Sequence, residues 1–160
     1  RLVTLVGMGG IGKTSLAAKV AIALQHDFDF LIWQPLRNAP PLEDVLSNLI
    51  QILSHQQETA LATSLEAQIS QLMGYLRSSR CLLILDNVDA ILGSADETTS
   101  PAGQYQEGYA GYGELLRRVG SEYHSSCLVL TSREKPTTLI PLEGETSPVR
   151  TLPLIGLSSL

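Results

Sequence analysis

The chain opens on Leu2-Val3-Thr4-Leu5-Val6-Gly7-Met8-Gly9-Gly10-Ile11-Gly12-Lys13-Thr14-Ser15, an apolar run followed by the pattern G-x-x-x-x-G-K-[ST]. The spacing has a chemical reason. A triphosphate needs several positively polarised donors within a few ångströms, and a glycine-rich turn lets successive backbone N–H groups point inward without a Cβ in the way. Gly7, Met8, Gly9, Gly10, Ile11 and Gly12 supply that turn, Lys13 adds a charge, and Thr14 adds a hydroxyl suited to magnesium. Leu16, Ala17, Val20, Ala21 and Leu24 then recur at helical spacing, predicting a helix over Lys13 to Gln25 whose N-terminal dipole faces the same phosphates. The stretch also satisfies G-x-G-x-x-G through Gly7, Gly9 and Gly12, the turn of a dinucleotide-binding fold. That motif expects an acid about 20 residues on, at the end of the second strand. The second apolar run, Phe28 to Leu36, ends instead in Trp33-Gln34-Pro35, with Asp27 and Asp29 at its start. With Lys13-Thr14 directly after the last glycine, the triphosphate reading is preferred.

Further along, strand-like and helix-like segments alternate. Phe28 to Gln34 is aromatic and β-branched; after Pro40-Pro41, the apolar residues Leu42, Val45, Leu46, Leu49, Ile50 and Leu53 lie on one helical face, and Leu65, Ile69, Leu72, Met73 and Leu76 mark a further helix ending near Ser78-Ser79. Cys81 to Asp86 is apolar until its final carboxylate, Tyr112 to Val119 reads as helix, Cys127 to Thr131 as buried strand and Val149 to Leu152 as a last strand. The alternation predicts an α/β fold, a doubly wound and mostly parallel sheet in three α/β/α layers, with residues 1–160 forming one nucleotide-binding domain. Residues 93–113, rich in Gly, Ser, Thr and Tyr, read as a long surface loop carrying Tyr105, Tyr109 and Tyr112, with a short helix inside it and a docking role as the alternatives.

Composition narrows the partners. Eleven Lys and Arg against 16 Asp and Glu give a net charge of −5 without a basic cluster, so no nucleic-acid footprint is expected. No apolar stretch approaches the 18 or more residues of a membrane span, and the start has no signal-peptide pattern, so a cytoplasmic protein without a membrane partner is expected. Cys81 and Cys127 each open an apolar run and read as small core residues in a reduced compartment. His26, His55 and His124 lie apart, without metal-ligand spacing, and are expected to be solvated or hydrogen-bonded locally. The missing initiator Met and the pattern broken off at Leu152-Pro153-Leu154-Ile155-Gly156-Leu157 suggest a piece of something longer.

A second half of the site follows from strand ends. In parallel sheets ligands sit beyond the C-terminal ends of the strands, where Asp86 could hold the magnesium that bridges the phosphates. Hydrolysis needs an acceptor to orient and deprotonate a water. Asn87 can orient one but is a poor base, and Asp89 is the nearest acid, so turnover is expected to fall below roughly 10 per second, the median for enzymes. Arg133, after Leu128-Val129-Leu130-Thr131-Ser132, carries a guanidinium fork suited to phosphate oxygens or to a surface turn.

Taken in order, the Gly7–Thr14 loop with Ser15-Leu16-Ala17, Trp33, Leu82-Leu83-Ile84-Leu85-Asp86-Asn87-Val88-Asp89 and Leu128-Val129-Leu130-Thr131-Ser132-Arg133-Glu134 resemble the NB-ARC domain of the STAND class of signalling ATPases. That class includes plant disease-resistance proteins, apoptotic scaffolds and bacterial multidomain proteins with repeats. The resemblance covers nearly the whole chain. It implies an ATP/ADP-binding switch that hydrolyses ATP slowly and controls self-oligomerisation or the output of flanking effector and repeat domains. It further implies that Gly9, Gly10, Gly12, Lys13 and Thr14 hold phosphate, Ser15 lies near the α-phosphate, Asp86 holds Mg2+, and Arg133 senses the γ-phosphate from a strand between those of the phosphate loop and Asp86. Asn87 departs from relatives that carry a second Asp there. Alternatives are a turnover ATPase of the AAA+ kind, which would usually carry Glu at position 87, a P-loop kinase, for which Arg117-Arg118 gives slender support as a basic lid, and a non-hydrolysing nucleotide-binding scaffold. A GTPase is disfavoured by the lack of an N-K-x-D motif.

Overall fold

Five strands, β1 (Leu2–Val6), β2 (Phe30–Pro35), β3 (Cys81–Asp86), β4 (Cys127–Ser132) and β5 (Val149–Pro153), pair in parallel in the order β2-β3-β4-β1-β5. The helices are α1 (Lys13–Leu24), α2 (Leu42–Leu53), α3 (Leu65–Ser78) and α4 (Ala110–Ser121). The computed structural model describes residues 1–57, 60–93 and 102–156. All six residues of β3 are buried, and they alternate between two cores. Cys81, Leu83 and Leu85 face the large core under α2, α3 and α4, whereas Leu82 and Ile84 face a smaller one under Ala17 and Ala21 of α1. One helix thus covers one face of the sheet and three cover the other, the three-layer α/β/α arrangement expected.

Local chemistry accounts for the helix starts. Pro41 precedes α2, whose first turn carries Glu43 and Asp44 against the helix dipole and whose apolar face, Leu42 to Leu53, is buried. Ser64 caps α3 by accepting the Ala67 N–H at 3.1 Å. The strand β2 begins two residues later than the aromatic run suggests. Phe28 instead lies under the Arg80 guanidinium, and Asp29 accepts the Arg80 N–H. Both cysteines are free; Cys127 is level with Leu82 on one face of the sheet and Cys81 points to the other.

The segment read as a surface loop over 93–113 is tied to the body of the protein at its end. Residues 94–101 lie outside the described residues, but from Tyr105 onward the tyrosines turn inward. Tyr105 shares a 2.7 Å hydrogen bond with Thr138, Tyr109 donates to the Ala39 carbonyl, and Tyr112, 1% exposed, donates to the Pro40 carbonyl. Burial pushes the Tyr105 pKa up to about 12. The composition misleads because a tyrosine can bury its ring once its hydroxyl finds an acceptor. Gly113, which resembles a loop residue, is a close-packing position. A Cβ there would come within 2.8 Å of the Tyr105 ring. The helix accordingly starts at Ala110, two residues before the periodicity suggests.

His124 joins the end of α4 to β4. Its Nδ1 accepts the Ser126 N–H at 3.1 Å, so the Nε2–H donates to the Val119 carbonyl at 2.8 Å. The neutral ring satisfies both partners, and a second proton would face the Ser126 N–H. Burial accordingly lowers the His124 pKa from its ordinary 6.5. Stability from this group is complete above that ordinary value and is lost as the pH falls below it toward the folded pKa, because the unfolded chain takes up the proton first. The urea midpoint should therefore fall between about pH 7.5 and about pH 5.5. His124→Gln should cost about 1–3 kcal/mol at the higher pH and flatten the decline.

Candidate functional site

Parallel pairing in register brings the strand ends to one edge. Val6 is level with Ser132, Leu85 with Leu130, and Asp86 with Pro35. A cleft of about 400 Å3 opens there, lined by Gly9, Gly10, Gly12, Lys13, Thr14, Ser15, Arg37, Asp86, Asn87, Asp89 and Arg133.

Between β1 and α1 the chain turns through Gly10 at φ 79° and Gly12 at φ 101°, left-handed conformations that would strain any other residue. Gly12 caps α1 without a side-chain hydrogen bond. Among the described residues, the backbone N–H groups of Gly9, Gly10, Gly12, Lys13, Thr14 and Ser15 donate to no protein acceptor. They form a row of polarised donors at the helix start, reinforced by its dipole. Lys13, 8% exposed, folds back to donate to the Gly7 carbonyl at 2.6 Å and the Met8 carbonyl at 2.8 Å. Burial lowers its pKa below the ordinary 10.5; Asp89 opposes that shift, Arg133 adds to it and Asp86 opposes it. Gly7, Met8 and Ile11 do not line the cleft. The first two hold the lysine through their carbonyls, the Met8 side chain is exposed, and Ile11 packs toward Gly7.

Asp86 ends β3 almost fully buried. Thr14 donates to its Oδ1 at 2.9 Å, and Thr131 donates to the same oxygen at 2.5 Å. No hydrogen bond among the described residues ends on Oδ2. Thr131 also accepts the Asn87 N–H at 2.9 Å, and Asn87 takes the left-handed φ of 62° that asparagine tolerates better than most residues. Asp89, in the 3-10 turn Val88–Ile91, reaches the cleft and accepts the Arg133 N–H at 3.3 Å. The Arg133 guanidinium lies across Gly9, where a Cβ would stand 2.7 Å from its Nη2.

The expected residues Gly9, Gly10, Gly12, Lys13, Thr14, Ser15, Asp86, Asp89 and Arg133 therefore share one cleft. Two participants escaped the sequence reading. Thr131 was visible only as part of a strand end, and Arg37 follows β2 where no motif marks it. The cleft joins unpaired amides, three cations and a buried carboxylate next to a hydroxyl, a donor set that fits a polyphosphate with a divalent cation. Among the described residues no group of three or more His, Cys, Asp or Glu side chains could hold a metal alone. A magnesium site that borrows its ligands from phosphates needs only one or two protein carboxylates. Among the described residues no helix is long and apolar enough to cross a membrane.

The chain has relatives among known proteins. Residues 1–92 match the model of the NB-ARC domain. An uncharacterised WD repeat-containing protein of Nostoc sp. is 52% identical over 165 aligned positions, covering 98% of this chain and 13% of that protein. Disease resistance protein RPM1 of Arabidopsis thaliana is 29% identical over 94 positions, 54% of this chain and 10% of that protein. The chain thus spans only about a tenth of these relatives' lengths. Among solved structures, a chain of the E. coli MS115-1 HORMA:CdnC:Trip13 complex superposes with a TM-score of 0.50 at 18% identity, covering 96% of this chain and 47% of that one, a likeness of fold.

Proposed function

Because this chain belongs to the NB-ARC family of nucleotide-binding domains, we propose that it is an ATP/ADP switch within a larger signalling protein. The observation that carries this reading is the single cleft in which unpaired loop amides, Lys13, the Thr14–Asp86 pair and Arg133 face one another. In this reading Gly9, Gly10, Gly12, Lys13, Thr14 and Ser15 bind the phosphates, and Thr14 and Asp86 hold Mg2+, which supplies charge neutralisation between the phosphate oxygens. Arg133 contacts the terminal phosphate. Such a contact exists with ATP and not with ADP, and only a difference of this kind can shift a conformational equilibrium. Hydrolysis is slow because Asn87 is no base and Asp89 is engaged with the Arg133 N–H. The WD repeats in the name of the Nostoc relative support a protein in which repeat and effector regions flank this domain and respond to its nucleotide, with self-association as one response.

Calorimetric titration of Arg133→Ala tests the switch. ADP affinity should stay within about twofold of wild type, and affinity for a non-hydrolysable ATP analogue should fall about 10- to 100-fold, the loss of one charge-assisted contact. Equal weakening of both nucleotides would remove the reason for calling it a switch.

A further inference from the structure

The cleft has a second arginine that neither its sequence context nor the family match points to. Arg37 lines the cleft two residues beyond the end of β2, and among the described residues its guanidinium has no hydrogen-bond or ion-pair partner. An arginine facing a cleft that also contains two aspartates would ordinarily pair with one of them; here the Oδ1 atoms of Asp86 and Asp89 are engaged by hydroxyls and by the Arg133 N–H, and no ion pair among the described residues joins Arg37 to either carboxylate. Its fork is left to whatever anion enters.

The backbone that presents Arg37 is held from three sides. Leu36, fully buried, donates its N–H to the Asp86 carbonyl at 2.8 Å, which ties the turn to the metal-binding strand end. The Ala39 N–H returns to the Leu36 carbonyl at 2.9 Å, closing a tight turn with Arg37 at its first corner. Ala39 itself sits at φ 47°, a conformation that costs a non-glycine residue energy and persists only where its surroundings enforce it. Enforcement comes from the start of α4: Tyr109, the residue just before the helix, donates to the Ala39 carbonyl and Tyr112 to the Pro40 carbonyl, each at 2.7 Å, from rings stacked on each other. Burial raises the Tyr112 pKa, so its hydroxyl remains a donor.

Sheet order fixes which part of a nucleotide such an arginine can meet. Along the edge the sequence is Arg37 after β2, Asp86 ending β3, Arg133 after β4, and the phosphate loop after β1. Neighbouring strands are about 4.8 Å apart, so Arg37 starts roughly 14 Å to the side of the loop, on the far side of Asp86. The amides of the loop hold the phosphates nearest to it. A phosphate chain that extends from the loop along this edge would bring its outermost phosphate toward β2.

Resting on the nucleotide reading above, we propose that Arg37 is a second terminal-phosphate contact, opposite Arg133, and that Tyr109 and Tyr112 are positioning residues that fix its turn. Two forks on opposite walls hold a γ-phosphate by its sides, and ADP reaches neither. Release of the γ-phosphate would free the Arg37 side chain as well as that of Arg133, so nucleotide state is reported at two points along the edge of strand ends.

The test is calorimetry of the purified protein with Mg2+-ADP and with Mg2+ and a non-hydrolysable ATP analogue, for wild type, Arg37→Ala, Arg37→Lys and Tyr109→Phe, with thermal melts of each. Arg37→Ala should weaken the ATP analogue at least about tenfold and ADP less than about twofold, with an unchanged melt. Arg37→Lys should recover part of the loss, since it keeps the charge and loses the fork. Tyr109→Phe should weaken the ATP analogue about threefold and leave ADP alone, a selectivity that a purely structural hydroxyl would not produce. If wild type binds both nucleotides and Arg37→Ala changes both equally or neither, the proposal is overturned while the nucleotide reading stands; if wild type binds neither, both fall.

Discussion

Lys13→Ala should lower affinity for ATP and ADP alike by about 100-fold or more while the protein remains folded. The ammonium already sits at the mouth of the phosphate cradle, on a residue only 8% exposed, and among the described residues it is anchored to the Gly7 and Met8 carbonyls alone. Those acceptors belong to the loop itself, so an incoming phosphate meets a lysine held over the correct spot with at least one free proton to donate. Two charge-assisted contacts, at about 1.5–3 kcal/mol each, amount to about two or more factors of ten. Because the β- and α-phosphates are common to both nucleotides, the loss is shared, in contrast to the ATP-selective losses expected at Arg133 and Arg37. Folding is spared because among the described residues the lysine makes no ion pair, and α1 packs through Ala17 and Ala21. The measurement is calorimetry with both nucleotides beside a thermal melt. A folded variant that binds either nucleotide within about fivefold of wild type would show that Lys13 does not face the phosphates.

What could be read from sequence is what local physics decides. The helices α2 and α3 end where their apolar periodicity ends, β3 spans the run from Cys81 to Asp86, and the phosphate loop is a contiguous motif whose glycines and lysine must be adjacent to work. The carboxylate at Asp86 was legible because strand ends in parallel sheets point one way. Arg37 was not, since its position depends on hydroxyls 70 and more residues away, on tyrosines whose glycine-rich neighbourhood imitates a loop. Thr131 was likewise silent. A threonine in a strand is ordinary, and its role appears only when β4 is laid beside β3 and its hydroxyl lands on Asp86 Oδ1. Residues that build the cradle are local; residues that aim it are brought there by tertiary packing.

Asp86→Asn should separate the metal from the fold. Thr14 and Thr131 both donate to Oδ1, and an asparagine that keeps its carbonyl at that position retains both hydrogen bonds, so the variant should melt close to wild type. What disappears is the negative charge beside Oδ2, the atom left without a protein partner. With Mg2+ present, ATP affinity should fall about 10- to 100-fold, as expected when one charged ligand of a cation is neutralised. With the metal chelated the sign reverses. A buried carboxylate repels the phosphates by on the order of 1–2 kcal/mol at several ångströms and an effective dielectric constant near 20, so the amide variant should bind metal-free ATP tighter than wild type does. The ratio of affinities with and without Mg2+ therefore collapses from both ends. Titrations of wild type and variant in excess Mg2+ and in excess chelator measure that ratio directly, and an unchanged ratio would mean that the carboxylate at the end of β3 braces the threonines and holds no metal.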